Sequence, residues 1–213
     1  LLGVPFVGAG VVGSAVGMDK AIFKDVMRAH DLPVVKHLVV RRHEWAARPV
    51  DVEVEVITQL GFPCFIKPAN MGSSVGITKA KSVPQLHAGM AEALKWDRKV
   101  LIEQAVPRAR ELEVSVLGND ELQASVVGEI VPSREFYDYA AKYLDKGESA
   151  SALHIPADIP PALSQLIRET AVEAATLAEV RGMARVDFLM NGETGEVFIN
   201  EINTIPGFTD ISM

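Results

Sequence analysis

The sequence predicts an α+β fold with mostly antiparallel strands, and three observations carry that prediction. Short apolar runs of strand length alternate with stretches whose apolar residues recur every third or fourth position. The strand–helix–strand rhythm of a parallel sheet is missing. The chain closes on two alternating runs, residues 183–190 and 196–203, joined by a turn-forming segment at 191–195, which is the pattern of an antiparallel hairpin.

The elements follow in chain order. Residues 1–17 are rich in glycine and valine and read as strand and loop. Asp19 opens a helix to about His30, with Ile22, Phe23, Val26 and Met27 at helical spacing, and Asp31-Leu32-Pro33 ends it. Residues 34–40 read as a strand and 52–60 as a helix stopped by Gly61, with a short buried strand at 63–67. A loop at 70–76 leads to a strand at 77–80. Ser82 and Gln85 have the spacing of a capping box, and the helix they open carries Leu86, Met90 and Leu94 on one face. Residues 100–106, 111–117 and 123–131 read as three strands, with a turn at 118–120. The stretch 132–156 follows neither period, and a loop of that length is either a functional lid or a disordered segment. A helix over 161–180 then sets Leu163, Leu166, Ile167, Ala171, Ala174 and Leu177 on its core face, and Arg181 and Gly182 close it.

Composition narrows the function classes. The 213 residues are 48% apolar and 23% charged, the proportions of an ordinary globular protein. A net charge of −7 argues against a broad nucleic-acid footprint, though not against a locally basic anion site. No apolar run approaches the roughly 20 residues that span a bilayer, and the opening carries no basic start of a secretory signal. The single cysteine, Cys64, lies in an apolar run and is expected to be a buried structural thiol. Together these point to the cytoplasm. The five histidines, at 30, 37, 43, 87 and 154, show no ligand spacing and are expected at the surface. The chain opens without a Met, on Leu1-Leu2-Gly3-Val4-Pro5, and is expected to belong to a longer protein.

The hairpin carries the first candidate chemistry. Side chains on a strand alternate faces, so Ala184, Val186, Phe188 and Met190 share one face and Arg185 and Asp187 the other. Glu201 and Asn203 share a face of the second strand. A hairpin centred on Thr194 sets Asp187 opposite Glu201 and Arg185 opposite Asn203, within a patch on the order of 5–10 Å across. Clustered carboxylates repel unless a positive group sits between them. Magnesium takes carboxylate, amide and phosphate oxygens, so Asp187, Glu201 and Asn203 are candidate metal ligands. Arg185 beside them suits a phosphoryl group. A solvated polar face would show the same residues, and the phosphate-handling features elsewhere decide between the two.

The loop Lys67-Pro68-Ala69-Asn70-Met71-Gly72-Ser73-Ser74-Val75-Gly76 follows a buried strand, with glycines flanking two serines. Glycines let backbone N–H groups approach an anion, and serine hydroxyls add donors. The order is neither a Walker loop nor a Rossmann fingerprint. Lys67 ends an apolar strand, where a lysine needs an anionic partner. Lys20 heads a helix, where a cation opposes the helix dipole, so a shared anion and a solvated lysine both fit. Glu103 ends another apolar run and Glu111 and Glu113 begin the next strand; each reads either as a ribose or adenine contact or as a polar strand end.

These runs together resemble the D-alanine–D-alanine ligase family of the ATP-grasp superfamily. The matching runs are residues 17–20 (GMDK), 65–76 (FIKPANMGSSVG), 128–143 (GEIVPSREFYDYAAKY), 184–188 (ARVDF) and 200–212 (NEINTIPGFTDIS). The resemblance implies two α+β subdomains clasping ATP, divided as 18–106 and 107–213, with residues 1–17 as the remnant of a preceding domain and 132–156 as a lid. It implies that one D-alanine carboxylate takes the γ-phosphate of ATP and that the amine of a second D-alanine displaces phosphate from the acyl phosphate. The dipeptide would feed peptidoglycan synthesis. By the same resemblance Lys20 and Lys67 hold phosphates, while Glu103, Val106, Glu111 and Phe136 line the adenosine pocket. Asp187, Glu201 and Asn203 bind two Mg²⁺, for which Mn²⁺ could substitute. Arg185 and the backbone of Gly207 stabilise the tetrahedral intermediate, and Lys142 and Tyr143 close with the lid, Lys142 onto phosphate. Ser73 helps position or deprotonate the second D-alanine, and Ser212 holds its carboxylate. The full-length protein is implied to be a homodimer, with no nucleic-acid or membrane partner. The lid departs from the family's Tyr-Glu-Ala-Lys-Tyr, reading Tyr139-Ala140-Ala141-Lys142-Tyr143. Most of the family's first domain and its last helix have no counterpart in the sequence. A D-alanine–D-lactate type ligase, or a nucleotide-binding module inactive alone, are the other readings.

Overall fold

The computed structural model describes residues 6–131 and 152–207. Within them two antiparallel sheets each build their own core. The first sheet has the order β1-β4-β2-β3, from His37–Arg41 (β1), Cys64–Pro68 (β2), Thr78–Ala80 (β3) and Lys99–Gln104 (β4). Its Ile66, Val100 and Ile102 pack against Val52 and Val56 of Pro49–Gln59 (α4) and Leu86, Met90 and Ala93 of Val83–Trp96 (α5). Alternation then turns Phe65, Lys67, Leu101 and Glu103 to the opposite face. Cys64 is buried in this core, and burial pushes its thiol up to about 11, so it is an inert structural thiol as expected.

The second sheet runs β10-β9-β5-β7-β8, with Leu122–Ala124 (β6) also paired to β5. Its strands are Arg110–Gly118 (β5), Gly128–Val131 (β7), Ala152–His154 (β8), Gly182–Met190 (β9) and Val197–Asn203 (β10). The core face of Leu112, Val114, Val186, Phe188, Ile199 and Ile202 packs on Ile167, Ala171, Ala174 and Ala175 of Pro161–Leu177 (α6). Leu166, expected on that face, is 56% exposed, and Ala175 takes the inward position.

Helix Lys20–Ala29 (α2) belongs to this second core, through Phe23 and Met27. Each such side chain contributes about 1.5–3 kcal/mol when buried. Yet the helix begins on the first sheet's territory. Asp19 caps it by accepting from the N–H groups of Ala21 and Ile22, pairs with Lys99 of β4, and the Lys20 N–H donates to the Ala69 carbonyl at 3.0 Å.

Several expectations are corrected. Residues 11–18 are helical (α1, Val11–Met18), not strand and loop. Glycine and valine form helices poorly in isolation; here tertiary contact decides, since a Cβ on Gly17 would stand 2.9 Å from the Thr204 side chain. A short helix, Arg42–Ala47 (α3), precedes α4. Residues 123–131 hold parts of two strands, not one. The Ser82 side chain makes no cap bond; Gln85 instead accepts from the Lys81 N–H at 2.7 Å. Of the expected lid, residues 132–151 lie outside the described residues, and 152–154 are a strand paired to β7. No helix among the described residues is long and apolar enough to cross a membrane.

Candidate nucleotide and metal site

The terminal hairpin has the register expected from its turn: Asp187 lies opposite Glu201 and Arg185 opposite Asn203. The route to that register differs. Nearer the turn the pairs are Val197–Met190 and Ile199–Phe188, and the register shifts between Ile199 and Glu201. Asn200 is therefore a bulge residue. A bulge breaks alternation once, so Ile199 and Ile202 both reach the core while Asn200, Glu201 and Asn203 stay off it.

Strand β5 extends this polar surface. Glu113 pairs with Asp187, and Ser115 with Arg185. Glu113, Asp187 and Glu201 thus form one row across three neighbouring strands. Arg185 lies over the row, donating from Nε and Nη2 to the two Asp187 oxygens at 2.7 and 2.9 Å and standing 3.2 Å from Glu113. Burial opposes its charge, but Asp187, Glu113 and Glu201 outweigh burial and raise its already high pKa further. Among the described residues no three His, Cys, Asp or Glu side chains cluster as a metal cage. A row of carboxylates with the Asn203 amide is instead an open oxygen surface, the donor type of a hard cation that also keeps phosphate or water ligands. The Asn203 oxygen accepts from the Ile205 N–H at 3.1 Å, which fixes the side chain's direction.

The cationic side is built around Glu103. The resemblance gave this residue to an adenosine pocket; in the structure its side chain is 1% exposed and faces two lysines. Its Oε2 lies 2.5 Å from the Lys67 Nζ and its Oε1 3.0 Å from the Lys24 Nζ. Lys24 also reaches the Ile199 carbonyl at 3.4 Å, and Lys67 donates to the Asn200 Oδ1 at 3.3 Å. The triad therefore joins α2, the first sheet and the bulge of the second. Burial works against the Glu103 charge, yet the two ammonium groups hold its carboxyl down to about 2. Burial also works against Lys67, but Glu103, Glu201 and Glu111 more than offset it and its pKa is raised. Lys24 has no exposed surface, and there burial prevails and lowers its pKa. Removing one partner from such a buried set costs about 3–5 kcal/mol.

Lys20 sits one turn before Lys24 on α2, donates to the Met71 carbonyl at 2.6 Å and stands 3.5 Å from Glu201. It links the glycine-serine loop to the carboxylate row. In that loop Ser73, Ser74 and Gly76 all have left-handed backbones, with φ of 52°, 59° and 71°. Two successive non-glycine residues in this region store strain that a functional turn justifies, and such turns present N–H groups to anions. The end of α5 holds the loop in place: Asp97 accepts from the Asn70 N–H at 2.9 Å and from its Nδ2 at 2.8 Å. Gly76 leaves room for Trp96, which a Cβ there would meet at 2.6 Å.

The structure thus brings Lys20, Lys67, Arg185, Asp187, Glu201 and Asn203 together. Glu111 lies on β5 two residues before Glu113, and Val106 follows the end of β4. Ser73 is in the loop, and Gly207 is exposed at the end of the described chain. Phe136, Lys142, Tyr143 and Ser212 lie outside the described residues. Sequence reasoning missed Lys24, Asn200, Asp97 and the alignment of Glu113. Only Lys24 left a signal, its four-residue spacing from Lys20. It also missed His37, whose Nε2 is buried without a partner and whose pKa burial lowers.

Comparison with known proteins follows from this geometry. The family profile described as "D-ala D-ala ligase C-terminus" matches residues 26–213. A D-alanine–D-alanine ligase of Heliobacterium modesticaldum is 52% identical over 210 residues, covering 99% of this chain and 56% of that protein. One from Clostridium novyi is 49% identical over 213 residues, covering all of this chain and 61% of the relative. Among solved structures, the D-alanine–D-alanine ligase of Coxiella burnetii aligns over the whole chain and 54% of its own, with a TM-score of 0.84 and 32% identity. The VanG D-Ala:D-Ser ligase of Enterococcus faecalis aligns over 99% of this chain and 59% of its own, with a TM-score of 0.84 and 34% identity. The chain thus spans little more than half the length of these proteins, and its fold is theirs, an ATP-grasp fold.

Proposed function

This chain belongs to the D-alanine–D-alanine ligase C-terminus family, and we propose that it is the ATP- and magnesium-binding part of a ligase that joins two D-alanines. The observation that supports this best is the contact between a lysine-rich surface and a carboxylate row at Lys20 and Glu201. A metal-bound polyphosphate is the ligand that answers both charges.

In this reading Lys20, Lys67 and the backbone of residues 70–76 bind the phosphates, and Glu111 and the backbone near Val106 take the adenosine. Asp187, Glu201 and Asn203 would hold Mg²⁺, or Mn²⁺ in its place; bound, the metal neutralises charge developing on the phosphoryl oxygens. Arg185 lies within reach of that charge and orients the group being transferred. The first D-alanine carboxylate takes the γ-phosphoryl group, and the amine of the second displaces phosphate from the resulting acyl phosphate. The backbone of Gly207, with Arg185, stabilises the tetrahedral intermediate, Ser73 and Ser212 serve the second D-alanine, Phe136 covers the adenine, and Lys142 and Tyr143 exclude water, Lys142 on phosphate. The protein works in the cytoplasm, as a homodimer when full length, and its dipeptide feeds peptidoglycan synthesis.

The test is phosphate release from Mg-ATP with D-alanine, measured on this chain and on the longer protein that carries it. D-Alanine-dependent release by the longer protein is expected, and its absence sinks the ligase reading. Release by the longer protein alone makes this chain a nucleotide-binding part of the enzyme. The likeness to a D-Ala:D-Ser ligase favours a second reading that differs only in the acceptor. Parallel assays with D-serine and D-lactate separate that reading, and the D-alanine–D-lactate one, from the first.

A further inference from the structure

We infer that Lys24 is a positioning residue for nucleotide binding: by holding the inner oxygen of Glu103, it leaves Lys67 with charge to offer a phosphate. The inference rests on the nucleotide reading above.

The geometry gives Glu103 two cations of different access. Lys24 is fully buried, at 3.0 Å from Oε1, with the Ile199 carbonyl at 3.4 Å. It has no path to a ligand. Lys67 holds the other oxygen at 2.5 Å, is 8% exposed, and is followed directly by the glycine-serine loop. With one carboxylate between two ammonium groups, the set carries one positive charge in excess, and Lys67 is the member at its edge. Without Lys24 the carboxylate would neutralise Lys67 completely. In surroundings of low dielectric constant that loss is felt strongly at an approaching anion. Lys24 also anchors Glu103 to Ile199, beside the bulge residue whose amide oxygen accepts from Lys67. The direction of the Lys67 ammonium group is thus set from both sides.

A purely structural tether between α2 and β4 would also bury Lys24, and charge restoration tells the two apart. Lys24→Met keeps the volume and removes the charge. Lys24→Met combined with Glu103→Gln removes both charges of the pair and returns the set to one excess positive charge. Binding of Mg-ATP and of adenosine to the purified chain is measured by calorimetric titration, with the ligand-free unfolding temperature of each variant. Lys24→Met is expected to weaken Mg-ATP binding about tenfold or more while adenosine changes less than about twofold, and the double variant to return Mg-ATP to within about threefold of wild type. Equal Mg-ATP affinity in wild type and Lys24→Met overturns the inference. So does an equal loss for adenosine, or a double variant no better than the single one. If Lys24→Met does not fold, the double variant decides: binding within about threefold of wild type supports the inference, and a tenfold loss overturns it. A wild-type chain that binds no Mg-ATP overturns the nucleotide reading itself; a binding wild type with an indifferent Lys24 overturns only this inference.

Discussion

The two halves of the site carry opposite charge, and they bury it differently. Around the first sheet Lys24 and Lys67 meet one internal carboxylate, Glu103, with Lys20 one helical turn away from Lys24, and all four are nearly inaccessible. On the second sheet one arginine lies over three carboxylates in a row, and Glu201 remains about one-third exposed. A buried cation excess is costly unless an anion arrives, and an open anion excess unless a cation does. Counted over these named residues, neither half is balanced alone. The pairing at Lys20 and Glu201 is a place where the two halves touch directly. Function is therefore written in the mismatch between the halves.

The largest effects should come from removing charge on either side, and they should differ in kind. In the full-length protein, Asp187→Ala or Glu201→Ala is expected to lower Mg-ATP turnover at least about 100-fold with little change in unfolding temperature. Lys67→Met is expected to weaken nucleotide binding about 30–100-fold whether or not magnesium is present. Titrations with and without the metal check this, and identical metal dependence in all three variants would erase the distinction between the halves.

A second effect concerns acid stability. The usual carboxyl value is 4.5, and Glu103 is held at about 2, so the folded chain binds this proton less readily than the unfolded chain. The stability it provides is complete above pH 4.5 and drains away between about 4.5 and 2. Glu103→Gln should cost about 3–5 kcal/mol at neutral pH and flatten that part of the acid limb. Urea unfolding from pH 2 to 7 measures both, and an unchanged acid limb would mean that the triad does not carry its charge. The smallest effect belongs to the loop. Asp97→Ala removes acceptors from Asn70 and should cost about 1–2 kcal/mol, read as faster proteolysis within residues 70–76. Equal cleavage rates would assign the loop's order to Trp96 instead.

Much of this was legible in the sequence because it was local. Alternation sorted Asp187 and Arg185 from Val186 and Phe188, and the hairpin turn set Glu201 opposite Asp187. Lys67 could be read as needing an anion because it ends an apolar strand. The partner could not be read, since Glu103 lies 36 positions away and Lys24 belongs to a helix whose other residues looked like an ordinary amphipathic stripe. A lysine on a helix reads as solvated until the sheet above it is known. Helix α1 was hidden for a related reason, because its stability comes from close packing at Gly17 and not from its own residues. The Asn200 bulge was hidden because an extra strand residue changes no composition or turn signal.

That bulge sets what the hairpin can tolerate. Substitution at 200 forfeits one hydrogen bond to Lys67, and loss of this one position returns the strand to plain alternation, because the bulge residue is the one that the facing strand leaves unpaired. With one residue fewer, Ile199 and Ile202 would still face the core and Glu201 would still lie opposite Asp187, but the amide that accepts from Lys67 would be gone. Position 200 therefore contributes a tie to the first sheet through Lys67, while the facing of Glu201 and Ile202 is set by the strand on either side of it.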